Sequence, residues 1–138
     1  MAFPITVQPD PVIALQQYLR ARPELVAITA ATKIVSEIPS SPSYATPYIV
    51  VQWTGGTGIW PAIDEPSLQV DAVGGSKAVC SLAARTVRAC IWAIANDTVA
   101  AGVLVSGAEE VAPSWLPDTV PVPPLPRFTA RYRVILHP

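Results

Sequence analysis

The chain has a single histidine, His137, and it stands next to the C-terminus. A zinc site draws three or four ligands, and a serine nucleophile needs an oriented base. A lone terminal imidazole supports neither. Cysteine is nearly as scarce, with Cys80 and Cys90 the only two. Both fall in one helical segment, where ten residues at about 1.5 Å rise set them about 15 Å apart, far beyond disulfide reach. They are expected as reduced, buried thiols. Charged residues make up only 14% of the sequence and the net charge is −1. There is thus no basic field to gather nucleic acid, and no acidic tail. No uninterrupted apolar run reaches the about 18 residues of a membrane span, and the opening Met-Ala-Phe-Pro-Ile-Thr-Val lacks a basic stretch ahead of an apolar one. Neither a span nor a signal peptide is expected, and assembly or action inside a cell is the default.

Motifs that carry chemistry are missing as well. No GxSxG elbow occurs. Gly55-Gly56-Thr57-Gly58 lacks the lysine and following hydroxyl of a phosphate-binding loop. The carboxylate pairs Asp64-Glu65 and Glu109-Glu110 are sequence neighbours, which point in opposite directions in an extended chain and so suit paired acid–base work poorly. Arg127, Arg131 and Arg133 form a basic ridge without interleaved aromatics, so no base-stacking surface is indicated. No catalytic, cofactor-binding or metal-ligating residue is assigned, and an enzyme is not expected.

What the sequence does have is apolar residues, 51% of the total, and 16 prolines. At 138 residues it fits one domain, 1–138, whose core is large for its size or whose apolar surface is covered by partners. Residues 1–9, with Pro4 and Pro9, read as an extended arm. Asp10 then caps a helix that opens on Pro11, carries Val12, Leu15 and Leu19 as its apolar stripe, keeps Gln16, Gln17 and Arg20 polar, and stops at Arg22-Pro23. Pro23-Glu24-Leu25-Val26 begins one further short turn. Lys33–Ile38 alternates like a half-exposed strand. Tyr48–Trp53 is the richest run of β-formers, and its apolar character on both faces predicts a central, covered strand. Residues 54–65 then read as a long glycine-rich loop holding Ile59-Trp60-Pro61, which either folds back on its own core or docks on a neighbouring subunit.

Ser67–Val73 alternates as a strand, Gly74-Gly75 turns the chain, and Ser76 caps the long helix Ser76–Asn96. At 100° per residue Leu82, Thr86, Val79, Cys90, Ala83, Ile94, Val87 and Ile91 sweep one apolar arc centred near Cys90, which is predicted to lie on the sheet. Trp92 falls on the opposite side with Arg85 and Arg88. It stacks on a guanidinium, is covered by another element, or makes a subunit contact, since Trp and Arg are favoured interface anchors. A strand from Val103 towards Val111 follows, with Gly107 a candidate bulge. Residues 113–126 hold six prolines and read as an irregular or polyproline-like loop. Arg127–Leu136 closes the chain as a strand with Phe128, Ala130, Tyr132, Val134 and Leu136 inward. These elements predict an α+β fold, a mainly antiparallel sheet with a short N-terminal helix and one long helix packed on one face.

The order of the segments, DPVIALQQYLRA, ELVAI, KIVSEI, PYIVVQW, SLQVDAVGG, the long helix and RFTARYRVIL, resembles the tail terminator (tail completion) proteins of long-tailed bacteriophages, across roughly residues 10–136. The resemblance implies a small α+β virion protein at the tail–neck junction, assembled in the host bacterial cytoplasm. It implies a ring of identical subunits, usually a hexamer, that sits on the last layer of tail-tube protein, ends its polymerisation and presents a surface to the head–tail connector proteins. No catalysis, cofactor, membrane or sequence-specific nucleic acid is implied. The 113–126 loop is longer and richer in proline than the family pattern, and no family residue can be carried over singly. The candidate subunit-interface residues, chosen from the residues themselves, are Ile59, Trp60, Arg85, Arg88 and Trp92, with the proline loop as a further candidate surface. The competing readings are another neck or head-completion protein and, from a different class, a small ligand-binding or enzymatic α+β domain.

Overall fold

The computed structural model describes Ile5 and residues 7–59, 63–96 and 104–136. Helix α1 spans Pro11–Arg20. As expected, Asp10 caps it: the carboxylate accepts from the amides of Val12 at 2.9 Å and Ile13 at 3.3 Å. Leu15 and Leu19 are fully buried. Gln16, expected among the polar residues, is buried too, and its Nε2 donates to Ser36 Oγ at 3.0 Å. One turn, α2 (Pro23–Val26), follows and buries Leu25.

Five strands form one sheet: β1 (Ile34–Val35), β2 (Tyr48–Ile59), β3 (Ile63–Val73), β4 (Leu104–Trp115) and β5 (Arg127–Leu136), in the order β1-β2-β3-β5-β4. Among the described residues only the β1–β2 pair is parallel. Cross-strand neighbours share a face, so Ile49, Ala72 and Phe128 align in one row and Val51, Val70 and Ala130 in the next. This face carries the core, together with Leu68, Tyr132, Val134 and Leu136, beneath α1 and the long helix. The other face holds Gln69, Asp71, Thr129, Arg131 and Arg133, and Glu110 there accepts from Ser67 Oγ at 2.6 Å and Arg133 Nε at 3.2 Å. The α+β prediction is thus met, one face apolar and covered, the other mainly polar with Tyr48, Val50 and Val73 buried at one end.

Several boundaries differ from the sequence expectation. The strand predicted over Lys33–Ile38 shrinks to two residues, preceded by a 3-10 turn at Ala31–Lys33. Lys33 ties this segment down by donating to Ser43 O at 2.7 Å and Thr46 Oγ1 at 2.8 Å. Strand β2 lies inside the sheet, between β1 and β3, and residues 48–51 are buried on both faces as expected, but burial ends there, with Gln52 and Trp53 exposed. Residues 54–65, expected as a long loop, mostly belong to a hairpin in which β2 continues to Ile59 opposite β3. Glycine explains the error. Gly55 and Gly56 take φ of +142° and +126°, which absorb a bulge after Trp53 and let the ladder resume. Strand β4 also runs into the supposed proline loop: Pro113 sits inside it, tolerated because β4 is a sheet edge. Residues 116–126 are irregular apart from one bridge between Asp118 and Leu125.

Helix α3 is Lys77–Trp92, capped by Ser76 Oγ accepting from Val79 N at 3.2 Å, and a 3-10 turn extends it over Ile94–Asn96. Its buried residues are Cys80, Ala83, Ala84, Val87, Cys90, Ile91 and Ile94. On a 100° wheel this arc centres near Val87, about 60° from the expected centre at Cys90. Val79 and Leu82, predicted to face the sheet, are exposed instead. The reason is that Cys80 and Ala84 are small enough to enter the close helix–sheet contact, and Cys80 Sγ donates to Ala72 O at 3.1 Å there. Both thiols are free and buried, as expected. Gly107, the candidate bulge, pairs in register with Val134, and the irregularities flank it.

Candidate functional site

Three of the five candidate residues, Arg85, Arg88 and Trp92, come together on the outward side of α3. The Arg88 guanidinium grips Glu109 of β4 with two bonds, Nε to Oε2 at 2.6 Å and Nη2 to Oε1 at 3.2 Å. That hydrogen-bonded carboxylate raises the Arg88 pKa above its ordinary value. The same guanidinium lies 4.4 Å from the centre of the Trp92 ring. Arg88 is therefore held inside its own chain, while Trp92 remains 53% exposed. Arg85 is exposed, its Nε donates to Ser81 Oγ at 3.3 Å, and among the described residues it forms no ion pair.

The fourth candidate, Ile59, ends β2 and belongs to the β2–β3 hairpin. Trp60 lies outside the described residues, as does His137. In the hairpin bearing Ile59, Trp53 and residues 55–58 are exposed although paired with β3. Trp53, the four residues Gly55–Gly58 and Asp64 enclose an open concavity of about 570 Å³ on its flank. Trp53 pairs with the buried Leu68 and Asp64 with the buried Leu136, so both belong to the face that the helices cover further along the sheet.

Sequence reasoning missed a second aromatic site. Lys77 at the start of α3 stands 4.5 Å from the Trp115 ring, which packs on Phe128 with centroids 5.2 Å apart. Trp115 was hidden in the stretch read as irregular, although the alternation of Val111, Pro113 and Trp115 was a strand signal. It also missed the exposed flank of α3, where Leu82 is 42% exposed. Between α3 and β4 runs a groove of about 250 Å³, lined by Ser81, Ala84, Arg85, Arg88, Ala112, Pro113 and Phe128.

As chemistry these surfaces offer cations, carboxylates and indoles but no nucleophile set beside a base. Among the described residues no three of His, Cys, Asp and Glu gather where a metal could bind, and no helix is long and apolar enough to cross a membrane. Burial pushes the Cys80 thiol up to about 11, the opposite of activation. The cavity within the core, against Ile49, Val70 and Tyr132, measures only about 10 Å³. What the geometry presents is exposed apolar and aromatic surface, at Trp53, Leu82, Trp92 and Trp115.

No protein-family model and no curated protein matches the chain. A chain in the virion of a native gene transfer agent (GTA) particle has the same fold. The two superpose with a TM-score of 0.62 at 16% identity, over 93% of this chain and 95% of that one.

Proposed function

We propose that this protein is a structural virion component of a long-tailed bacteriophage or related particle. In this reading it forms a ring that caps the tail tube, ends its polymerisation and provides the surface that joins tail to head connector. The carrying observation is the fold shared almost end to end with a chain of a virion particle. The segment order that resembles tail terminators supports a position at the tail–neck junction. Exposed apolar side chains on several faces, among them Trp53, Leu82, Trp92 and Trp115, fit a subunit that works only when covered. The partners are then copies of itself, the tail-tube protein and the connector proteins, with no cofactor. Ile59, Trp60, Arg85, Arg88 and Trp92 are the residues proposed for subunit contact.

A closed ring uses a heterologous contact, in which one patch meets a different patch and the rotation closes. Stopping tube growth further requires one ring face to match the tube and the other not to. Light scattering coupled to size exclusion tests the first requirement, with a ring of about six copies expected. A protein that stays monomeric at every concentration and is stabilised by a small molecule in a thermal-shift screen returns the reading to a ligand-binding domain. Capture separates the remaining alternative: a terminator retains tail-tube subunits, another neck or head-completion protein retains portal.

A further inference from the structure

We propose that the outer face of α3 of one copy seats on the uncovered hairpin flank of a second copy, with Arg85 opposite Asp64. The inference rests on the ring reading above and names its subunit contact. On α3 the residues Ala78, Leu82, Arg85, Ala89 and Trp92 follow a 4-3-4-3 spacing, the seam of a helix that packs lengthwise on something. All five are exposed. The seam points away from the chain's own sheet, so that sheet cannot cover it.

The hairpin flank is the complementary surface. It continues the sheet face that α1 and α3 cover, and among the described residues it is left exposed from Trp53 to Gly58. Trp53 is 58% exposed there. Its floor is nearly bare backbone, because Gly56 and Gly58 stand there opposite Pro66 and Asp64. A bare floor accepts a helix closely, and the small Ala78 and Ala89 on the seam allow the same approach. Charge then selects the partner. Asp64 on this flank forms no ion pair among the described residues, and neither does Arg85, the one charge within the seam. Arg88 can adjoin the contact but does not supply its charge, because Glu109 already holds it. The two patches differ and lie on one chain, so each copy offers a seam to one neighbour and a flank to the other, as a ring requires.

The experiment is a charge swap on the full chain, read by size exclusion with light scattering across a concentration series. Arg85→Asp and Asp64→Arg are each expected to weaken assembly by at least about tenfold, through like charges brought face to face. The double variant R85D/D64R is expected to recover assembly to within about threefold of wild type, the signature of a direct pair. Arg131→Asp, on the polar face of the sheet, serves as the control and should assemble normally. Circular dichroism melts establish that each variant is folded. A wild-type ring with single variants that assemble unchanged, a double variant that does not recover, or a disruptive Arg131→Asp overturns the contact while leaving the ring reading intact. A wild-type chain that never assembles overturns both.

Discussion

Gly107 of β4 and Ile91 of α3 meet so closely that a side chain at 107 has nowhere to go. A β-carbon there would stand 2.7 Å from Ile91 Cγ2 and 2.8 Å from the Ile91 carbonyl oxygen. The backbone at Gly107 is not left-handed, so the requirement is space and not conformation. Gly107→Ala should therefore force the end of α3 off the sheet and cost about 1–3 kcal/mol, the usual penalty of overpacking. Urea unfolding checks this. A variant as stable as wild type would mean that the helix end yields freely.

A second joint ties the N-terminal helix to the same helix end. Tyr18 Oη donates to the Cys90 carbonyl at 2.6 Å, across 72 positions of sequence, in a buried site. The Cys90 carbonyl also accepts from Ala93 N at 3.2 Å, so losing the phenol does not orphan it. Tyr18→Phe is expected to cost about 1 kcal/mol, a net hydrogen bond without a fully orphaned acceptor. Denaturant titration reads it directly. Exchange of amides in α1 should speed up with little change in those of β3.

How much of this was legible beforehand depends on whether a signal was local. The caps at Asp10 and Ser76, the Gly74-Gly75 turn and the inward residues of β5 follow from rules that operate within a few positions, and the structure has them as expected. The hairpin was hidden because glycine signals flexibility in a sequence, whereas at Gly56 the missing side chain admits the backbone of Glu65 and Pro66 across the ladder. Pro113 read as a strand breaker because nothing local reveals that β4 is an edge. The rotation of α3 was out of reach for a similar reason. A wheel weighs Leu82 above Ala84, while the sheet chose small residues for its closest contact. Of the candidate interface residues, sequence chemistry singled out the Arg85–Trp92 face but could not foresee that Glu109 would hold Arg88.

Stability should fall on the alkaline side, and the sign follows from two buried acids. Burial raises the Cys80 thiol to about 11 and also raises Tyr132, with the nearby Glu109 adding to the latter. Above the ordinary pKa of each group the unfolded chain releases its proton while the folded chain keeps it. The unfolded state is thus favoured as pH rises. The contribution is complete below about pH 9 and is lost progressively towards pH 11 for Cys80, with Tyr132 adding a further loss above about pH 10. Urea midpoints at pH 8 and pH 10.5 should differ, and Cys80→Ala should shrink the difference. An unchanged difference would remove Cys80 from the account.

Tyr132 offers a test of its own. Its hydroxyl is buried and finds no hydrogen-bond partner among the described residues. An unpaired buried hydroxyl costs free energy that the ring alone would not. Tyr132→Phe is expected to leave stability unchanged or raise it by up to about 1 kcal/mol. A loss larger than that would show that a buried water completes the site.

The register of α3 is decided by a pair of truncations. Leu82 and Ile91 both belong to the arc that a helical wheel assigns to the core, yet Leu82 is 42% exposed and Ile91 fully buried against Gly107. A buried aliphatic cut to alanine costs about 2–5 kcal/mol, because the transfer free energy is lost and a cavity remains. An exposed one costs within about 0.5 kcal/mol. Ile91→Ala should therefore fall in the first range and Leu82→Ala in the second, measured on dilute protein so that assembly does not contribute. Raising the protein concentration then separates the two roles. If Leu82 lies in a subunit contact, the melting temperature of wild type climbs with concentration and that of Leu82→Ala climbs less, whereas a merely solvated leucine leaves the two curves parallel.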